Sequence, residues 1–515
     1  MSLPGVKVKQ NDSAPRAATS AEPGGFRISL VLLALLTAAA AVLRFLFLAR
    51  KPFWFDECFS VEVARLGWSD FAHLLWWREA NMSLYYLLLR GWLHFGWTPF
   101  FIRSLSVGVS LATLPAIYWV ACRLFDRRVG ILSVALLSFN AYHIRYAQEV
   151  RSYALFVLLA TLSSGFFTAC LRQPSGRNRL GYVLTSVLAV YSHLYALLLI
   201  GAHLAAALEW RASQLRPLKR MWVWIGVAAA PLVVFAAKTG AGPIRWIPRP
   251  DFHIVLEFGE RMAGNDGLPL LLLYVAACSV AIIPVRKNLF TRTSSWETWR
   301  CQFLLTWLLF PVILIVLLSF ARPLFLARYF TFCLPALIIL ASAGLARLRT
   351  WALGIGLAVI LALSLQGTLS YYNRDFDLGR DASEGAANYI LDHAQPGDAI
   401  LFHIASARIP YEFYKSLRER NRPANEAEAL TAPEIVFPRH GDHLDYRDFT
   451  GKPTPDLVRS LNGRDGRIWV VLFDNQTKTG PDGITIMLEQ ILGASFRHME
   501  RWKFPQVEVR LYSRQ

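Results

Sequence analysis

Charge is scarce in this chain. Of 515 residues only 17% are Asp, Glu, Lys or Arg, whereas 54% are hydrophobic, and the mean hydropathy is +0.35. That shortage argues against a soluble protein and for repeated apolar runs that cross a bilayer. Cysteine is scarce too. The six residues, Cys58, Cys122, Cys170, Cys278, Cys301 and Cys333, are scattered, and no CxxC occurs, which excludes a zinc knuckle or a dithiol redox centre. Cys58 reads as a small apolar filler. No GxGxxG opens a helix in the C-terminal part, no Ser-His-Asp arrangement or Gly-rich phosphate loop is present, and no short-period repeat occurs. The formal charge of +18 does not signal nucleic acid, because no basic patch with interleaved aromatics lies in a soluble segment. It reads as Lys and Arg gathered in cytoplasmic loops.

What the chain does contain is apolar runs. Spans are expected at 27–49, 100–122, 129–143, 152–171, 180–193, 195–210, 221–238, 268–285, 302–320, 329–346 and 351–370, about eleven helices in all. The connections test the map, since every second one is basic. Arg123, Arg127 and Arg128 fill one; Arg172, Arg177 and Arg179 the next; then come Arg211, Arg216, Lys219 and Arg220; then Arg286, Lys287, Arg292 and Arg300; then Arg347 and Arg349. The N-terminal tail adds Lys7, Lys9, Arg16 and Arg27. The positive-inside rule puts all six segments in the cytoplasm. The opposite side then holds 50–99, 144–151, the turn at His193, 239–267, 321–328 and everything after 370. The fold class is therefore a polytopic α-helical membrane protein of a cell (inner) membrane, with its N-terminus cytoplasmic.

Three regions follow. Residues 1–26 are polar and rich in Ala, Pro and Gly, a disordered cytoplasmic tail. Residues 27–370 form the membrane domain. Within its 50–99 loop, "FSVEVARLGWSDFAHLLWW" and "SLYYLLLRGWLHFG" are aromatic and amphipathic, the pattern of helices lying in the interface. Residues 371–515 alternate helix and strand and predict a small extracytoplasmic α/β domain. "DASEGAANYILDHA" is an amphipathic helix with Asp381 and Glu384 spaced as cap and N3 acid. The strand candidates are "AILFHIA", "EIVF", "RIWVVLF" and "VEVRLYS", with helical patterns at 409–420 and 482–492 between them.

Charges at a membrane are costly and mark function by default. The extracytoplasmic set is small: Arg44, Asp56, Glu57, Glu62, Glu79, Arg145, Glu149, Arg151, His193, Arg322 and Arg328. Carboxylates and arginines without a nucleophile suit one reaction well. A carboxylate takes the proton of an acceptor hydroxyl, while guanidinium groups hold a phosphate bidentately. A phosphate leaving group needs charge stabilisation more than protonation. Blander readings stand beside these. Asp56 and Glu57 also suit the first turn of an interfacial helix; Arg145 and Glu149 are an i, i+4 pair; Arg44 and Arg328 can snorkel; His193, in "YSHLY", can be a structural histidine.

The order of motifs resembles a known family. "WFDE" after the first span, then "SLYYLLLRGWLHFG", "RSLSVG", "CRLFDRRVGILSVALLSFNAYHIRYAQEVRSYAL", and "LARYF" before a late span are similar to the GT-C glycosyltransferases of the protein O-mannosyltransferase-like group. That group includes bacterial lipid A aminoarabinose and galacturonosyl transferases. The resemblance is densest over 40–160, and the "PGD"-strand start of the tail resembles the extracytoplasmic domain of many bacterial members. The resemblance implies a polyprenyl-phosphate-linked sugar as donor, with Asp56 as base and Glu57 as its catalytic neighbour. It implies Arg145, Glu149, Arg151, Arg328, Glu79, Tyr85 and His193 as donor-phosphate or substrate contacts. The acceptor is an extracytoplasmic hydroxyl of unknown identity. No cofactor is called for; a divalent metal is possible in such chemistry but not indicated by these residues. Many relatives carry "PPLYY" where this chain has "NMSLYY" at 81–86, a departure that bears on the acceptor pocket.

Two other classes remain. A lipid or solute transporter or flippase also has many spans with arginines near lipid phosphate. Transporters usually carry ionisable groups at the midplane or an internal repeat; neither is visible here, and the charges crowd at one face. A non-catalytic assembly protein on a transferase scaffold would fit if Asp56 proved dispensable.

Overall fold

The computed structural model describes residues 23–77, 79–208, 215–239, 247–264, 267–288, 295–373, 382–422, 430–438, 451–477 and 480–514. Most of the tail expected at 1–26 lies outside them, as does Asp381, the expected helix cap. The first helix, α1 (Pro23–Phe45), leads into three short helices: α2 (Phe55–Arg65), α3 (Trp68–Trp77) and α4 (Ser83–Trp92). Two sequence stretches read as interfacial helices thus form three, with Gly67 between α2 and α3.

The helical body continues with α5 (Pro99–Leu124), α6 (Arg127–Phe139), α7 (Ala141–Ala147), α8 (Tyr153–Arg172), α9 (Gly176–Ser192) and α10 (Ala196–Leu208). Next come α11 (Leu215–Thr239), α12 (Phe252–Ala263), α13 (Leu268–Ile282), α14 (Trp296–Ser319), α15 (Leu334–Leu345) and α16 (Thr350–Asn373). Local chemistry sets several starts. Asp126 accepts the Val129 N–H to cap α6, and Asn140 accepts the His143 N–H to cap α7.

Seven helical segments among the described residues are long and apolar enough to cross a bilayer: Pro99–Leu124, Tyr153–Arg172, Leu218–Lys238, Leu268–Lys287, Trp296–Ser319, Ala327–Leu345 and Thr350–Asn373. Four of the eleven expected spans do not qualify. At 1.5 Å per residue a span needs about 20 residues; α6 has 13 and α9 has 17, and the described part of α10 has 13. The apolar part of α1 is Ser29–Phe45. An extended residue, His193 (φ −165°, ψ 130°), ends α9, so one expected pair of spans is two short helices.

Helix packing is close. A Cβ on Gly344 of α15 would stand 1.7 Å from the Ala277 carbonyl oxygen of α13, so only glycine lets these backbones meet, as is common between membrane helices. Arg44 does not snorkel. It is fully buried and donates to the Ala40, Leu137 and Ser138 carbonyls, Ser110 Oγ and His143 Nδ1. The last carbonyls of α6 have no helical partner and receive it.

The two ends of the bundle differ in charge. At one end Arg172 donates to the Arg123 carbonyl and Arg300 to the Leu124 carbonyl. Near the other end of α5, roughly 30 Å away along the axis, Arg103 meets Glu57 of α2.

After α16 the chain forms an α/β unit: α17 (Ser383–His393), β1 (Ala399–Phe402), α18 (Arg408–Asn421), β2 (Glu434–Phe437), α19 (Pro455–Ser460), β3 (Ile468–Phe473), a small hairpin of β4 (Gln476–Thr477) and β5 (Gly480–Pro481), α20 (Gly483–Gly493), β6 (His498–Phe504) and β7 (Val507–Ser513). The main sheet runs β2-β1-β3-β7-β6. Strands β2, β1 and β3 are parallel, with Ala399 opposite Ile468; β7 is antiparallel to β3 and β6 to β7. Strand period two splits the core. Ala399, Leu401, Ile468, Val470 and Leu472 pack with Leu488 and Leu492 of α20. Ile400, Phe402, Trp469 and Val471 pack on the other side with α17 and α18, in a cluster continuous with the core of the helical body. Each such side chain buried is worth about 1.5–3 kcal/mol.

Candidate active site

Asp56 and Glu57 open α2, where acids complement the helix dipole. Consecutive helical positions point about 100° apart, and the two carboxylates meet different partners. Glu57 turns inward and is fully buried. Arg103 donates to both its oxygens, Nε to Oε1 at 2.9 Å and Nη2 to Oε2 at 2.7 Å, and the Val150 N–H donates to Oε1 at 3.0 Å. Arg103 also donates to the Leu48, Lys51 and Pro52 carbonyls and lies over the Phe53 ring.

Asp56 turns the other way and is 19% exposed at its side chain. Its Oδ2 stands 3.6 Å from Arg328 Nη2 and 3.9 Å from Arg151 Nη2. Those are ion-pair distances beyond hydrogen-bond reach, and Oδ2, itself buried, accepts no hydrogen bond among the described residues. Arg151 comes from the turn between α7 and α8, and its Nη1 donates to the Asp56 carbonyl and to Ser60 Oγ, both at 3.3 Å. Arg328 comes from a 3-10 turn, Ala327–Cys333, that leads into α15, and lies over the Trp54 ring.

The remaining candidates divide. Glu79, between α3 and α4, lies within electrostatic reach of Arg151 and Asp56. Burial pushes its carboxyl up to about 7, with Arg151 opposing and Asp56 reinforcing. His193 is buried, stacked on Phe156 at 5.2 Å and against Tyr329 at 4.8 Å. Its Nδ1 accepts the Tyr195 N–H, and its Nε2 has no hydrogen-bond partner among the described residues; both arginines are within electrostatic reach. Arg145 and Glu149 form the i, i+4 pair, 3.7 Å apart, with Glu149 close enough to act electrostatically on Tyr153. Tyr85 turns away: its hydroxyl meets Ser106 Oγ of α5 at 2.8 Å. Its neighbour Tyr86 faces Asp56, Arg151 and Glu79.

Tyr86, Tyr153, Ser60 and Arg103 were missed in the sequence. Tyr86 and Tyr153 are fully buried with hydroxyls that have no hydrogen-bond partner among the described residues. Arg103 had a signal, a cation in an apolar helix whose other arginine, Arg123, lies in the last turn at the opposite end. Tyr153 had none, being one aromatic residue among many. No three His, Cys, Asp or Glu side chains converge as metal ligands among the described residues. What the arrangement offers chemically is a carboxylate without hydrogen-bond donors on one oxygen, between two planar cations. The first can take a proton, and the others can hold a phosphate.

No family model matches the sequence, and no curated protein matches it by sequence. Solved structures do match. ArnT from Cupriavidus metallidurans in the apo state superposes with a TM-score of 0.62 at 14% identity, covering 95% of this chain and 99% of that one. The same enzyme bound to undecaprenyl phosphate gives 0.56 at 15% identity, covering 95% and 98%. The Archaeoglobus fulgidus oligosaccharyltransferase in complex with Zn and sulfate gives 0.54 at 9% identity, covering 89% and 70%. Identities this low speak to fold alone: the chain shares the fold of ArnT over nearly its whole length and that of the oligosaccharyltransferase over most of it, and its apolar helices are those of a multi-pass membrane protein.

Proposed function

We propose that this chain is an inverting glycosyltransferase that moves a sugar from a polyprenyl-phosphate donor to an extracytoplasmic hydroxyl. One observation carries the reading: Asp56 Oδ2 sits between the guanidinium groups of Arg151 and Arg328, which arrive on separate elements. The likeness to a structure that holds undecaprenyl phosphate supports the donor class. The basic residues at the opposite end of the bundle support a cytoplasmic assignment for that end and an extracytoplasmic one for the site.

The acceptor oxygen attacks the anomeric carbon as its proton passes to Asp56. The bond from that carbon to the phosphate oxygen breaks, and polyprenyl phosphate leaves with the electron pair against Arg151 and Arg328. Attack opposite the leaving group inverts the centre. Glu79 and Tyr86 border the acceptor side; Glu57 holds Asp56 in place through Arg103. The hydrocarbon tail stays in the bilayer, which is why the acid stands at the membrane exit.

The test is Asp56→Asn. Carbon count and hydrogen bonding are kept, but the side chain cannot take the hydroxyl proton. Transfer should fall by about 10²- to 10⁴-fold, measured with lipid-linked sugars extracted from membranes as donor, while undecaprenyl phosphate binding stays at the parental level. Transfer at near-parental rate rejects the reading.

A further inference from the structure

The helix that carries Asp56 is held from outside the membrane body. Helix α18 of the C-terminal unit packs along α2. Tyr414 of α18 donates its hydroxyl to the Phe53 carbonyl at 2.8 Å. Phe413 packs on the Phe53 ring with centroids 4.8 Å apart. Two residues beyond Tyr414 along α18, Ser416 Oγ accepts from Arg65 Nη1 at the end of α2, at 2.9 Å. Arg420 and Arg65 both lie over the Trp97 ring, at 4.0 and 5.4 Å from its centroid. Phe473, at the end of β3, meets Phe55, the residue before Asp56, at 6.1 Å. Four of these contacts, those of Phe413, Tyr414, Ser416 and Arg420, come from the single helix α18.

Their placement is specific. Phe53 lies just ahead of α2, and the carbonyl of the next residue, Trp54, accepts the first N–H groups of the helix, those of Glu57 and Cys58. From within the bundle, Arg103 holds the carbonyls of Leu48, Lys51 and Pro52 and covers one face of the Phe53 ring. From outside, Tyr414 takes the next carbonyl and Phe413 packs on the same ring. Phe53, Phe413 and Tyr414 are each 3% exposed or less. The entrance to α2 is thus fixed between a membrane helix and the C-terminal unit, three residues before the acid.

We infer that Tyr414 is a positioning residue: the C-terminal unit fixes the first turn of α2, and with it the carboxylate of Asp56, through the Tyr414 hydroxyl and the Phe413–Phe53 contact. The inference rests on the reaction proposed above for its catalytic consequence but not for its geometry. A domain that served only acceptor binding or solubility would not need to grip this carbonyl. Removing the hydroxyl leaves the buried Phe53 carbonyl without its donor and leaves the ring packing intact, so the effect is local.

The test uses the full-length protein in detergent and the variant Tyr414→Phe, with Ser416→Ala as a second, independent loosening of the same grip. Amide hydrogen exchange over Glu57–Val61 should quicken by about three- to tenfold, the scale of one hydrogen bond. Exchange over β3 and α8 should stay parental. Turnover with extracted lipid-linked sugars should fall several-fold at unchanged affinity for undecaprenyl phosphate. Tyr414→Ala, which also removes the ring, should lower turnover further, so that Phe restores part of what Ala loses. Parental exchange and turnover in both Tyr414→Phe and Ser416→Ala, with Asp56→Asn inactive, overturns the grip and leaves the proposed reaction standing. Faster exchange at Glu57–Val61 alongside an active Asp56→Asn supports the grip and overturns the reaction. Faster exchange everywhere, with a lowered melting temperature, makes the contact merely structural and overturns the inference.

Discussion

Glu57 and Arg103 form a fully buried, two-bonded ion pair that joins α2 to α5, and the third bond on Glu57 comes from the backbone of Val150. Breaking such a pair from one side leaves a charge stranded and costs about 3–5 kcal/mol, whereas removing both sides costs less. Glu57→Gln or Arg103→Met alone should therefore lower the melting temperature in detergent more than the double variant does relative to their sum. Additive losses would mean that the pair is not coupled. Arg103→Lys should not rescue, because an ammonium cannot serve three carbonyls and a carboxylate in a planar fork.

Arg151 and Arg328 face Asp56 from separate elements. Lysine at either position keeps the charge and loses the bidentate geometry. Affinity for undecaprenyl phosphate should fall by about tenfold in each variant, the scale of one charge-assisted hydrogen bond. Equilibrium binding in detergent measures it. Parental affinity in both variants would remove these arginines from the phosphate site.

Glu62 gives a pH signature away from the site. Burial raises its carboxyl from the ordinary 4.5 to about 7, against the pull of Arg65 and with Glu412 and Arg420 nearby. The folded chain thus holds this proton more tightly than the unfolded one. The stabilising contribution is present below pH 4.5 and is lost as the pH rises towards 7. Glu62→Gln, which stays neutral, should flatten the melting-temperature profile over that window. An unchanged slope would show that Glu62 ionises normally.

A reporter fused after residue 380 should be active only outside the cytoplasm, and one fused after Arg172 only inside. The reverse pattern would put the arginine-rich end of the bundle outside and move the site to the wrong face for a sugar exported on a lipid.

The helical class was legible because apolar runs and basic loops alternate on the length scale of a bilayer. The count was not. Residues 129–143 and 180–193 are apolar runs, but Asn140 and His193 bend the chain out of the helix, and hydropathy does not register a break at one residue; the end of 195–210 lies outside the described residues. Strands β1, β2, β3 and β7 were visible as β-branched runs bounded by turns. Strand β6, "HMERWKF", was missed, because an edge strand that is mostly exposed lacks an apolar alternation. At the site, Asp56, Arg151 and Arg328 could be found as rare charges on one face. Sequence treated Asp56 and Glu57 as one acidic pair; only helical geometry separates the open carboxylate from the one enclosed by Arg103. In "LYY" the sequence chose Tyr85, and the two tyrosines are told apart only by which helix face α4 turns to α5.

The bond from the Val150 N–H to Glu57 carries one more consequence. Asp56 is the peptide neighbour of Glu57, and Arg151 is the peptide neighbour of Val150. The spacing of acid and first guanidinium therefore rests on that one buried backbone hydrogen bond, and losing it would free both residues at once. Arg328 stands on a third element, a short 3-10 turn tied to α7 where Tyr142 donates to the Ala327 carbonyl, so its spacing from the acid depends on a different buried hydrogen bond.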